Sequence, residues 1–87
     1  MTKRFLVTGR VQGVGFRFAA QAYALQLRLT GWVRNVPDGS VEILAEGTES
    51  SLTSFEEWLC QGPPLSRIDK VQATVEQDCS SSEFRIH

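Results

Sequence analysis

The stretch Gly9-Arg10-Val11-Gln12-Gly13-Val14-Gly15-Phe16-Arg17 decides how the rest of the chain is read. Before it, Arg4, Phe5, Leu6, Val7 and Thr8 form a β-prone run that stops at Gly9. Within it, three glycines in the seven residues from Gly9 to Gly15 supply a backbone free to bend tightly. After it, Phe18, Ala22, Leu25 and Leu29 recur at intervals of four, three and four. That spacing predicts a helix over about Phe16 to Arg28 with those residues on its buried side, and Gly31 lies just past its end. The stretch is therefore a turn from a strand into a helix.

Further out, Trp32 to Val36 reads as a second strand and Pro37-Asp38-Gly39 as a hairpin turn. Val41, Ile43 and Ala45 alternate with Glu42, Leu44 and Glu46 in a third strand. Thr48 is placed to cap a second helix, Glu49 suits its positive end, and Leu52, Phe55 and Leu59 make its inner stripe with Trp58 alongside. Gly62-Pro63-Pro64 stops that helix. Val71, Ala73 and Val75 alternate with Gln72, Thr74 and Glu76 in a fourth strand, and Phe84 with Ile86 marks a short last one. The order β-α-β-β-α-β plus a terminal strand predicts an α+β, ferredoxin-like split βαβ sandwich, an antiparallel sheet with two helices on one face. In that topology the third strand inserts between parallel first and second strands. The glycine loop and Asn35 then become neighbours, although they are about 20 residues apart in sequence.

Eighty-seven residues, 41% of them hydrophobic and 22% charged, suit one small domain spanning 1–87 with its own core. Nine Lys plus Arg against ten Asp plus Glu leave a net charge of −1, which argues against nucleic-acid binding through bulk charge. No apolar run approaches the roughly 20 residues of a membrane helix, and Met1-Thr2-Lys3-Arg4 leads straight into a strand, so a cytoplasmic protein is expected. Cys60 and Cys79 are too few for a disulfide framework and are expected as reduced thiols, although their spacing leaves a single bridge open. Ser80-Ser81-Ser82 reads as a short polar connection.

A glycine-rich turn entering a helix is an anion site in waiting, because main-chain N–H groups converge there and the helix dipole favours negative charge. Arg17 sits in the first turn, and its planar fork of donors matches phosphate oxygens in pairs. From the loop alone, a phosphoryl cradle and a plain tight turn with a solvated arginine both stand. The dinucleotide fingerprint fails because Phe18 replaces its last glycine, and no Gly-Lys-Ser/Thr follows as in a P-loop. His87, the single histidine, is expected to be a solvated, mobile terminal group; Asp38 is expected to serve the turn; Glu42, Glu46 and Glu49 are expected to form a solvated face. The serines have no base beside them, and no cluster has metal-ligand spacing.

The full string from Gly9 to Arg17 resembles the first signature of the acylphosphatase family, and Gly31-Trp32-Val33-Arg34-Asn35, followed by Asp38-Gly39-Ser40-Val41 and Gly47, resembles the second. Gly62-Pro63 and Phe84 continue the likeness over nearly the whole chain. The resemblance implies hydrolysis of a small acyl phosphate to a carboxylate and inorganic phosphate, with phosphate as product and inhibitor and with no metal or cofactor. It further implies that Arg17, with the amides of Val11, Gln12, Gly13, Val14, Gly15 and Phe16, binds the phosphate and that Asn35 orients the attacking water. A monomer is expected, without nucleic-acid or membrane partners. Two other readings are weighed. An RNA platform would need the aromatics of Gly15-Phe16-Arg17-Phe18 on a central strand, whereas here they enter a helix. A non-catalytic phosphate-binding module, or a free-standing relative of the acylphosphatase-like domain of hydrogenase-maturation carbamoyltransferases, would share the motifs without the same use.

Overall fold

The structure, a computed structural model, describes residues 1–78 and 82–87. Cys79, Ser80 and Ser81, and with them the expectations for that thiol and for the serine connection, lie outside the described residues. The elements follow the order β1 (Thr2–Arg10), α1 (Phe16–Gln26), β2 (Thr30–Asn35), β3 (Val41–Glu46), α2 (Glu49–Gln61), β4 (Arg67–Glu76) and β5 (Phe84–Ile86). They build one sheet in the order β4-β1-β3-β2-β5. β3 lies antiparallel between β1 and β2, so those two strands run the same way and both end at the glycine-loop side, as the topology requires. The four longer strands pair antiparallel; β5 adds to β2 in parallel, which makes the whole sheet mixed.

Alternation along the central strands sorts the two faces. Phe5, Val7, Val33, Val41, Ile43 and Ala45 point into the core and are fully buried against the helices. From α2 come Leu52, Phe55 and Leu59, as the heptad-like spacing predicts, with Phe55 meeting Phe5 edge-on at 5.9 Å between centroids. Thr48 Oγ1 accepts the Ser51 N–H at 3.1 Å and caps that helix.

The helix α1 buries a different stripe from the one expected. Phe16, Ala20 and Ala24 face the core, whereas Phe18 is 70% and Leu25 55% exposed and Ala22 is exposed too. Leu29 is buried, but from beyond the helix end. Both series have helical spacing; the one with small alanines lets the helix approach the sheet closely, a gain that outweighs hiding the larger side chains. Nor does Gly31 end the helix. Arg28 takes the left-handed conformation, φ 59°, while Arg28 N–H donates to Leu25 O and Leu29 N–H to Ala24 O, a Schellman-type stop. Gly31 is needed for another reason: a Cβ there would collide with Leu44 O on the adjacent strand.

At the sheet edge, Val71 of β4 is half-buried, but Ala73 and Val75 remain exposed, since they lie on an edge strand outside the helix-covered centre. On the outer face Glu42 is not solvated as expected. It is 8% exposed and sits between Arg4 Nη1 and Arg34 Nε, each 2.6 Å from one of its oxygens, and Arg4 Nε continues to Glu76 at 3.1 Å. Among the described residues no helix is long and apolar enough to cross a membrane.

Candidate active site

The loop between β1 and α1 crosses the end of β2 and encloses a cavity of about 130 Å³ lined by Val11, Gly13, Gly15, Phe16, Arg17, Phe18 and Asn35. Its shape comes from main-chain conformation. Gly13 and Gly15 both have φ 75°, a region where other residues are strained, and no atom lies within 4 Å of where a Cβ would stand on either. A side chain at these positions would project into open space beside the loop. Gly15 also starts α1 with no side-chain cap. The first intrahelical bond is Ala19 N–H to Gly15 O at 3.1 Å, so the amides of Phe16, Arg17 and Phe18 have no partner within the helix. Unsatisfied donors and the positive end of the helix dipole thus meet at a concave surface.

Gln12 shows how this loop is held beside Asn35. Its Nε2 donates to Val36 O at 2.7 Å and to Ser40 O at 2.9 Å, tying the loop to both sides of the turn that follows Asn35. That turn is itself closed by Asp38, whose Oδ1 accepts from Ser40 Oγ at 2.6 Å and Ser40 N–H at 2.9 Å. Those bonds, the hydroxyl's first, hold the Asp38 carboxyl below the usual carboxylate range. Asp38 serves the turn, as expected. Of the residues the sequence singled out, Val11, Gly13, Gly15, Phe16, Arg17 and Asn35 come together at the cavity, whereas the side chain of Gln12 is committed to the staple and Val14 packs on the core.

Arg17 is half-buried, and its Nη1 donates to the main-chain oxygen of His87 at 2.8 Å. This contact was not read from the sequence: His87 is exposed, as expected of a solvated group, yet it is also held by its neighbours. The His87 N–H donates to Val33 O at 2.8 Å, and its ring stacks on Trp32 at 5.7 Å and 12° between planes. One turn further along α1, Gln21 Nε2 donates to Phe84 O at 2.9 Å, so β5 is laced to the helix that carries Arg17. The parallel register of Val33 with Ile86 brings His87 to this end of the sheet, a pairing that local periodicity does not encode. Cys60 is an exposed free thiol away from the cavity lining. Among the described residues, no group of three or more His, Cys, Asp or Glu side chains is gathered to hold a metal ion.

A cavity with one guanidinium, one carboxamide and a helix start whose first amides have no intrahelical partner suits a small phosphorylated group. Comparison with known proteins bears on which one. The acylphosphatase family model matches residues 3–86. An acylphosphatase of Koribacter versatilis is 54% identical over 86 residues, covering 98% of this chain and 78% of the relative. The solved structure of the Bacillus subtilis acylphosphatase superposes with a TM-score of 0.95 at 44% identity, covering 99% of this chain and 97% of the other. HypF of T. kodakarensis matches at 33% identity and a TM-score of 0.86, but with only 12% of its own length. With its motifs, fold and cavity in agreement, the chain belongs to the acylphosphatase family.

Proposed function

We propose that this cavity hydrolyses acyl phosphates by direct attack of a water oriented by Asn35, on a phosphoryl group held by Arg17 and the amides of residues 11–17. The observation that supports this most is the sharing of one cavity by Arg17, in the first turn of α1, and Asn35, at the end of β2. With one Nη1 proton bound to His87, the guanidinium keeps four N–H donors for phosphate oxygens. The Asn35 carboxamide can accept a hydrogen bond from water and donate another to a fixed oxygen.

The chemistry needs little more. A new bond forms from the water oxygen to phosphorus while the bond from phosphorus to the acyl oxygen breaks, and the carboxylate leaves with the electron pair. Its conjugate acid has a pKa of about 4, judging from Asp and Glu, so no general acid is required. The water proton passes to an oxygen of the substrate's own phosphoryl group. Positioning and charge stabilisation dominate phosphoryl transfer, and the cavity is built for both. Among the described residues, the lining offers no carboxylate or imidazole to bind a catalytic metal, and the proposed mechanism uses none. We take residues 1–87 to act as one domain.

The test is release of inorganic phosphate from benzoyl phosphate with and without exhaustive chelation. Turnover should survive chelation. Loss of turnover restored by Mg²⁺ or Zn²⁺ would overturn the metal-free mechanism. The likeness to a small part of HypF, one solved structure of which is of a phosphate- and nucleotide-bound form, favours a second reading as a phosphate-binding module; binding of phosphate with no hydrolysis would favour it.

A further inference from the structure

Arg17 and the loop amides would hold the phosphoryl end of an acyl phosphate, so the acyl group extends away from them across the rim of the cavity.

Phe18 stands there. It lines the cavity together with Arg17 and Asn35, yet it is 70% exposed, while Phe16, two residues earlier on the opposite side of the helix, is in the core. Helical side chains lean toward the N-terminus, so a residue in the first turn of α1 leans toward the loop and not away from it. A lone exposed phenylalanine needs no explanation; one that shares a cavity with the phosphate-facing arginine does. Among the described residues, the cavity is lined by Arg17, Asn35 and otherwise apolar residues and glycines, so Phe18 is its one exposed aromatic side chain.

We propose that Phe18 is the platform for the acyl group, and that the chain favours acyl phosphates whose acyl group is apolar, aromatic ones above all. This rests on acyl phosphate hydrolysis at the same cavity. A ring laid against the Phe18 ring would gain an offset or edge-to-face contact that an acetyl methyl cannot match, about two- to tenfold in transition-state binding.

The experiment compares kcat/KM for benzoyl phosphate and acetyl phosphate in the wild type, Phe18→Ala and Phe18→Trp. Each substrate is referred to its own wild-type value, which removes the difference in intrinsic reactivity. Phe18→Ala should lose about three- to tenfold more on benzoyl phosphate than on acetyl phosphate, and Phe18→Trp should keep the benzoyl preference within about twofold. Inhibition by inorganic phosphate, which has no acyl group, should move less than benzoyl turnover. Equal losses on both substrates, no loss on either, or a Trp variant as impaired as the Ala variant would overturn the platform. Hydrolysis of neither substrate by the wild type would overturn the acyl phosphate mechanism instead.

Discussion

Arginines work at two places in this molecule, and their partners set them apart. On the outer face of the sheet, Arg4 and Arg34 grip the carboxylate of Glu42 from both sides, and Arg4 also reaches Glu76. In the cavity, Arg17 is held by the main-chain oxygen of His87, and among the described residues no side-chain carboxylate pairs with it. The strand-borne arginines complete a charge string across β4, β1, β3 and β2; the helix-borne one is oriented while most of its donors stay available. An arginine that is to take an anion has to be aimed through few of its donors, so that the others remain for the ligand.

The largest expected effect breaks the cavity side of that comparison. Arg17→Ala should lower kcat/KM by about 10² to 10³ or more, the cost of losing a preorganised donor that carries charge. Its melting temperature should stay within a few degrees of wild type, because one partly exposed hydrogen bond to His87 is lost. Steady-state kinetics beside a thermal melt checks both, and an active but unstable variant would reverse the assignment.

On the sheet side the pattern should invert. Glu42→Gln should cost about 1 to 2 kcal/mol of stability, below the figure for a deeply buried pair because its arginine partners reach solvent. Turnover per folded molecule should remain within about twofold. Burial pushes the Glu42 carboxyl up, but the hydrogen bonds from Arg4 and Arg34 outweigh it and hold the carboxyl below its usual range. A depressed carboxyl stabilises the fold fully above its unfolded pKa of about 4.3, and that contribution disappears as pH falls through the lower folded value. Melting temperatures from pH 7 to pH 3 should thus show wild type and Glu42→Gln separated at neutral pH and converging below about pH 4. A constant gap would sever stability from that ionisation.

The smallest effect lies at the far end of α1. Arg28→Gly should raise stability by roughly 0.5 to 1 kcal/mol, because glycine takes the left-handed conformation at no steric cost and offsets its greater unfolded-state freedom. Chemical denaturation resolves that, and no change in kcat should accompany it.

Local chemistry made much of this readable from the chain. Thr48 and Gly62 bracket α2, alternation marks β3, and the βαβ order brings Asn35 to the glycine loop. What escaped depends on contacts far apart in sequence. Period and spacing cannot choose between the Phe16-Ala20-Ala24 stripe and the Phe18-Ala22-Leu25 stripe, because the choice turns on how closely α1 packs on the sheet. Glu42 alternates like any solvent-facing residue, and only the neighbouring strands bring Arg4 and Arg34 to it. His87 docks through a parallel pairing with β2 that has no local signature, so the brace on Arg17 was invisible.

Asn35→Ala tests the central claim most directly, since it separates the water from the phosphate within one cavity. Alanine can neither accept from water nor donate to an oxygen, but it leaves Arg17 and the loop amides in place. The measurement is the inhibition constant of inorganic phosphate alongside kcat on benzoyl phosphate. The account predicts phosphate inhibition within a few-fold of wild type with kcat lowered by at least about 10², the pattern of an interaction made chiefly in the transition state. Intact kcat with collapsed phosphate inhibition would contradict it, assigning Asn35 to the cradle and leaving the water without its guide.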